Sequence, residues 1–269
     1  MRFHDRLRAA MERSGSLLCV GLDPDASLGS AQAVERFCLD VLDATLDHCV
    51  AVKPNLAFFE QFGPDGLRVL LRVRERVPGD RVLLLDAKRG DIGSTAEAYA
   101  RALYDVYGAD AVTVNPLMGS DSVAPWLAHA EQGRGVFLLA RTSNPGAADL
   151  LEQRLAGGEA VYERIAGLAQ QWDGGRGAVG LVVGATAPAA VAALRSLAPG
   201  LPFLLPGVGA QGGSLEDALA AGLDAAGFGA LVSVSRGIAG AAEGPGAAAA
   251  ELHRRISAAR AAARTPSTA

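Results

Sequence analysis

Residues 82–96 read VLLLDAKRGDIGSTA. The first four, Val82 to Leu85, are wholly apolar, as in a strand buried on both faces. Asp86 and Lys88 follow. Two residues apart on a strand, they point to the same face. Gly90 and Gly93 let the backbone turn sharply, Asp91 stands between them, and Thr95 falls on the first turn of a helical stretch. The segment therefore reads as a strand handing over to a helix, with an acid and an amine at the handover. A solvated charge run with Asp91 as helix cap is the plainer reading. The apolar lead-in, and a second lysine (Lys53) ending another strand, favour chemistry.

The same unit recurs outward in both directions. Apolar runs stand at 17–23 (LLCVGLD), 50–55 (VAVKPN), 82–88, 111–116 (AVTVNP), 136–142 (VFLLART), 178–184 (AVGLVVG), 202–208 (PFLLPGV) and 230–236 (ALVSVSR). Helix-like stretches separate them. Residues 31–47 place Val34, Phe37, Cys38, Val41, Leu42 and Leu46 on one stripe, and residues 95–107 do the same with Tyr99, Ala102, Leu103 and Val106. Eight strands alternating with helices in 269 residues predict an α/β fold, a single (β/α)8 TIM barrel over residues 1–269 rather than an open doubly wound sheet. The Ala/Arg-rich tail predicts a last helix over about 246–263 and a frayed end from about 264.

Polar residues gather where these strands end: Asp23, Lys53, Asp86 and Lys88, Asn115, Thr142 and Ser143, Gly207 to Gly213, and Arg236. In such a barrel that rim is the catalytic face. After the seventh run, LLPGVGAQGGS (204–214) lets backbone approach an anion at Gly207, Gly209, Gly212 and Gly213. Arg236, in SVSRG (233–237), offers a forked cation to its oxygens. Ser143 and Asn144, in ARTSNPG (140–146), suit a polar heterocycle, or an ordinary turn before Pro145.

The bulk composition narrows the partners. With 25 basic and 29 acidic residues the net charge is −4, so nothing points to nucleic acid or an anionic membrane. An anionic ligand must be met by a few placed groups. The cysteines (Cys19, Cys38, Cys49) fit no zinc or redox spacing and read as reduced core thiols of a cytoplasmic protein. The four histidines are scattered, so no metal site is expected. The N-terminal stretch MRFHDRLRAAMERSG lacks the apolar core of a signal peptide, and no run approaches a membrane span.

Together the motifs VGLDP (20–24), VKPN (52–55), DAKRGDIGSTA (86–96), VNPLMGSDS (114–122), ARTSNPG (140–146), LLPGVGAQGG (204–213) and SRGI (235–238) resemble the orotidine 5′-phosphate decarboxylase family, in its longer bacterial branch. The resemblance runs in order over residues 20–238. It implies decarboxylation of orotidine 5′-phosphate to uridine 5′-phosphate, the last step of de novo UMP synthesis, with neither metal nor cofactor. It implies that Lys88 protonates C6, that Asp86 lies beside the substrate carboxylate, and that Lys53 and Asp91 complete an alternating array. It further implies a homodimer with shared active sites, Asp91 and Thr95 reaching in from the partner. Asp23 and Lys53 would meet the ribose, Ser143 the pyrimidine, Pro206 the base pocket, and Gln211 and Arg236 the phosphate. Two alternatives share parts of this pattern: a metal-dependent sugar-phosphate lyase or aldolase on a related barrel, and a non-catalytic nucleotide-binding barrel.

Overall fold

The computed structural model describes residues 1–264. Eight strands, β1 (Leu18–Leu22), β2 (Ala51–Pro54), β3 (Val82–Arg89), β4 (Ala111–Val114), β5 (Gly135–Arg141), β6 (Val179–Val183), β7 (Phe203–Pro206) and β8 (Ala230–Val234), pair in parallel and in sequence order. β8 closes on β1. Each strand ends within about two residues of its apolar run. Burial on both faces explains why the runs are continuous rather than alternating: one face fills the barrel and the other meets the helices.

The helix Ala31–Thr45 buries Val34, Cys38, Val41 and Leu42, with Phe37 and Leu46 packed at the edge of the core. The stripe expected over 95–107 is different in the structure. The helix runs Gly93–Arg101 and then widens into a π turn over Ala102–Val106. The wider turn shifts the helical phase. Ala96, Ala100, Leu103 and Tyr104 face inward, whereas Tyr99 and Val106 are exposed. Tyr104 packs edge-on to Trp126 and donates its hydroxyl hydrogen bond to the Gly135 carbonyl at 2.8 Å, which satisfies the polar end of a buried ring.

The N-terminal helix Phe3–Ser14 closes the end of the barrel where the strands begin. Phe3 packs edge-on to Phe137, over a backbone that only Gly135 leaves open. Asp110 ties this end together: it pairs with Arg6 and Arg134 and accepts the Leu83 N–H. The opposite end, where the strands finish, is left for chemistry. The last helix is Pro245–Arg264; the expected fray beyond it lies outside the described residues. Among the described residues no helix is long and apolar enough to cross a membrane. Cys19, Cys38 and Cys49 are free and buried, and burial pushes each thiol up to about 12.

Candidate active site

A cavity of about 410 Å³ opens at the C-terminal ends of the strands, a size that suits one small-molecule ligand. Its charged side comes from β2 and β3. Asp86 is the hub: Oδ2 accepts from Lys53 Nζ at 3.1 Å, and Oδ1 accepts from Lys88 Nζ at 2.5 Å and from Thr113 Oγ1 at 2.8 Å. Burial alone would push the Asp86 carboxyl up. The two ammonium groups, with the hydrogen bonds from Lys88 and Thr113, outweigh it and hold the carboxyl well below the usual carboxylate range. Burial would likewise pull the Lys53 ammonium down, and the Asp86 and Asp23 carboxylates outweigh it, leaving it above the ordinary lysine value. Asp23 also lines the cavity, and its buried Oδ1 has no hydrogen-bond partner.

Simple strand alternation does not bring Asp86 and Lys88 together. Leu85 pairs with Val112 and Arg89 with Val114, so three residues of β3 stand opposite Thr113 alone. This bulge re-aims the strand end. Within it Lys88 has φ +47°, the one positive φ on a non-glycine among the described residues. A residue held there costs about 1–3 kcal/mol and persists only where its surroundings enforce it.

Strands β3 and β7 lie four positions apart in a ring of eight, so they stand on opposite sides of the mouth. The β7 side carries Pro206, Gly207 and Gln211, and the end of β8 adds Ser235, Arg236 and Gly237. Gly207 has φ +98°, and a Cβ there would stand 2.9 Å from Gln211 Oε1 and 3.0 Å from Ser143 Cβ. A side chain would therefore strain the backbone and displace the two groups that line the cavity. Arg236 is exposed and makes no ion pair among the described residues. The expected glycine cradle is different in detail. The N–H groups of Gly209, Gly212 and Gly213 donate to carbonyls within the loop, at 3.0, 2.8 and 3.0 Å. They brace the loop and are not turned to a ligand. Leu139, Val182 and Leu204 supply the apolar lining. Ser143 is held from behind, where its carbonyl accepts from Thr186 Oγ1 at 3.1 Å.

Of the residues singled out from sequence, Asp23, Lys53, Asp86, Lys88, Ser143, Pro206, Gln211 and Arg236 line this one cavity. Asp91 and Thr95 do not. Asp91 Oδ1 accepts the Ile92 N–H at 2.8 Å, and Ile92, not Asp91, is the N-cap of the following helix. Asn115 is also outside; its Oδ1 takes the Leu117 N–H at 3.1 Å. Thr113, Asn55 and Ser233 line the cavity and were missed. For Thr113 and Ser233 a signal existed: each is a lone polar residue inside an apolar run, where burial on both faces otherwise excludes polarity.

The family model described as "Orotidine 5′-phosphate decarboxylase / HUMPS family" matches residues 16–252. The chain belongs to this family. An orotidine 5′-phosphate decarboxylase from Verminephrobacter eiseniae is 51% identical over 234 residues, covering 83% of this chain and 84% of that protein. One from Roseiflexus castenholzii is 49% identical over 259 residues, 93% of each. Among solved structures, Leishmania donovani OMP decarboxylase superposes with a TM-score of 0.89 at 46% identity, covering 97% of this chain and 99% of that one. Leishmania donovani UMP synthase gives 0.91 at 47% identity; the match covers 97% of this chain and 57% of that longer chain.

Proposed function

We propose that this chain removes CO2 from orotidine 5′-phosphate and yields uridine 5′-phosphate. The observation that carries the reading is the Lys53–Asp86–Lys88 array on one side of a cavity whose other side ends in the exposed Arg236, which makes no ion pair among the described residues, in a member of this family. A nucleotide has the matching polarity: a base at one end and a dianionic phosphate at the other.

Loss of CO2 from C6 leaves a carbanion with no adjacent electron sink. The Lys88 ammonium meets that charge and then protonates C6. A fixed cation in a partly dry site is preorganised for charge that develops only in the transition state. Asp86 holds the ammonium by its short contact and keeps Lys53 charged. Asp23 and Lys53 take the ribose hydroxyls, and the orphaned Asp23 Oδ1 is an acceptor awaiting such a donor. Ser143 reads the base, which rests on Pro206. Gln211 and Arg236 take the phosphate, whose binding energy serves the chemistry at a distance.

The active unit is a homodimer, and Asp91 and Thr95 complete the partner's site. In support, both lie outside their own chain's cavity, and the helical segment around them exposes Ile92, Tyr99 and Val106 while the loop after β4 exposes Leu117 and Met118. The enzyme works in the cytoplasm, without metal or cofactor, and binds neither nucleic acid nor membrane. The test is turnover of orotidine 5′-phosphate with EDTA present. Undiminished turnover is expected. Loss on chelation with recovery in Mg2+ would replace this reading with the metal-dependent lyase, and binding without turnover would replace it with the non-catalytic barrel.

A further inference from the structure

The bulge in β3 holds Lys88 in a conformation that a side chain disfavours, and one hydroxyl on the neighbouring strand touches both ends of the problem. Thr113 is the single residue of β4 facing the three bulged residues, and it is buried. Its Oγ1 accepts the Lys88 main-chain N–H at 3.0 Å and donates to Asp86 Oδ1 at 2.8 Å. A hydroxyl has one proton. With that proton on the carboxylate, a lone pair is turned toward the Lys88 N–H, so each hydrogen bond fixes the direction of the other. The same Asp86 oxygen receives the Lys88 ammonium at 2.5 Å. Main chain and side chain of Lys88 are thus tied to one point.

We propose that Thr113 is a positioning residue for Lys88: its hydroxyl locks the bulge so that the ammonium is presented to the cavity in one geometry. This rests on the reading of Lys88 as proton donor. Packing does not call for a hydroxyl here. Valine has nearly the same shape and suits a strand better than threonine does among apolar neighbours. Without the hydroxyl, the Lys88 N–H loses its acceptor, the backbone relaxes away from positive φ, and the ammonium shifts. A misplacement of about 1 Å is enough to cost on the order of 10²-fold in rate.

The test compares Thr113→Val and Thr113→Ser in two measurements. In orotidine 5′-phosphate turnover, Thr113→Val should lose about 10- to 100-fold in kcat with KM nearly unchanged. Thr113→Ser, which keeps the hydroxyl, should stay within about threefold of wild type, because a lost methyl does not move the ammonium. In amide hydrogen exchange by NMR without substrate, the Lys88 N–H should be protected in wild type and Thr113→Ser. It should exchange faster in Thr113→Val, while Leu85 keeps its protection. Should Thr113→Val fold poorly, Thr113→Ala removes the hydroxyl without overfilling the site and carries the same expectations. The proposal is overturned if Thr113→Val keeps wild-type kcat, if Thr113→Ser falls as far as Thr113→Val, or if Lys88 exchange is unchanged by loss of the hydroxyl. A wild type that does not turn over the substrate would instead defeat the functional reading, and the exchange measurement would still decide the contact.

Discussion

Replacing Asp86 with asparagine keeps the shape of the hub and removes its charge, so the cost can be worked from its two partners. Lys88 has a side chain 48% exposed and can be hydrated, so its loss of a partner costs at most about 1 kcal/mol. Lys53 is different: its side chain is 8% exposed. Removing one partner of a buried pair costs about 3–5 kcal/mol, because the other charge is left without compensation. Asp23 still acts on Lys53, and the asparagine keeps one acceptor oxygen, so the low end, about 3 kcal/mol, is expected. For a chain of this length Tm moves by about 2 °C per kcal/mol, so Asp86→Asn should melt about 6 °C lower at pH 7.

The pH dependence separates this cause from a packing defect. In wild type the Asp86 carboxyl is held below its unfolded value. Its contribution is therefore fully present above the unfolded carboxylate range, near pH 4, and is lost as pH falls toward the folded value. The variant lacks that acid slope. In the variant, burial is opposed by Asp23 without Asp86 and holds Lys53 lower than in wild type, so rising pH costs the variant less stability than it costs wild type. The gap between the two proteins should narrow from pH 7 to pH 10. Thermal melts followed by circular dichroism across this range are the assay. Adding Lys53→Met should recover more than half of the loss, since the two sites are in contact and do not behave additively. A variant melting within about 1 °C of wild type at pH 7, or a gap that stays constant to pH 10, would refute the reasoning.

Lys88→Ala should lower turnover by at least about 10²–10⁴-fold while binding of the product nucleotide is little changed; near-normal turnover would remove Lys88 from the mechanism. Arg236→Ala should lose about 1.5–3 kcal/mol in kcat/KM for orotidine 5′-phosphate, yet match wild type on the nucleoside lacking phosphate. Equal impairment on both substrates would exclude Arg236 as phosphate ligand. Lys88→Ala and Asp91→Ala homodimers should each be nearly inactive, and equal mixing with subunit exchange should return roughly a quarter of wild-type activity, since half the dimers are mixed and half their sites intact. No recovery, with exchange verified separately, would confine Asp91 to its own chain.

The barrel was legible because its signal is one-dimensional. A strand buried on both faces must be apolar throughout, so each run in the sequence ends close to where its strand ends. Asp23, Lys53, Ser143 and Arg236 were legible for the same reason: a charged or polar residue at the end of such a run has only the rim to occupy. Gln211 lies in the loop beyond β7, and only the family resemblance pointed to it. The helix after β3 is not legible in this way. Its α-helical part, Gly93–Arg101, gives way to a π turn at Ala102–Val106 that shifts the helical phase, and Tyr104 within that turn packs edge-on to Trp126, a contact no single-segment period announces. The glycines after β7 suggest a cradle because glycine reports conformational freedom. Where the freed N–H groups point depends on loop carbonyls that only the folded loop supplies.

The sequence by itself determined the barrel, the face that carries chemistry, and the residue types on it. Tertiary structure decided how those residues meet. Asp86 and Lys88 are two apart in the chain, but a bulge with a left-handed residue, not alternation, sets their contact. That bulge meets the Thr113 hydroxyl, which arrives from another strand, and no local pattern in residues 82–96 encodes its arrival. Period and polarity are properties of one segment and can be read along it. Register between segments is fixed only when the ring of eight closes, because the partner of each hydrogen bond lies tens of residues away.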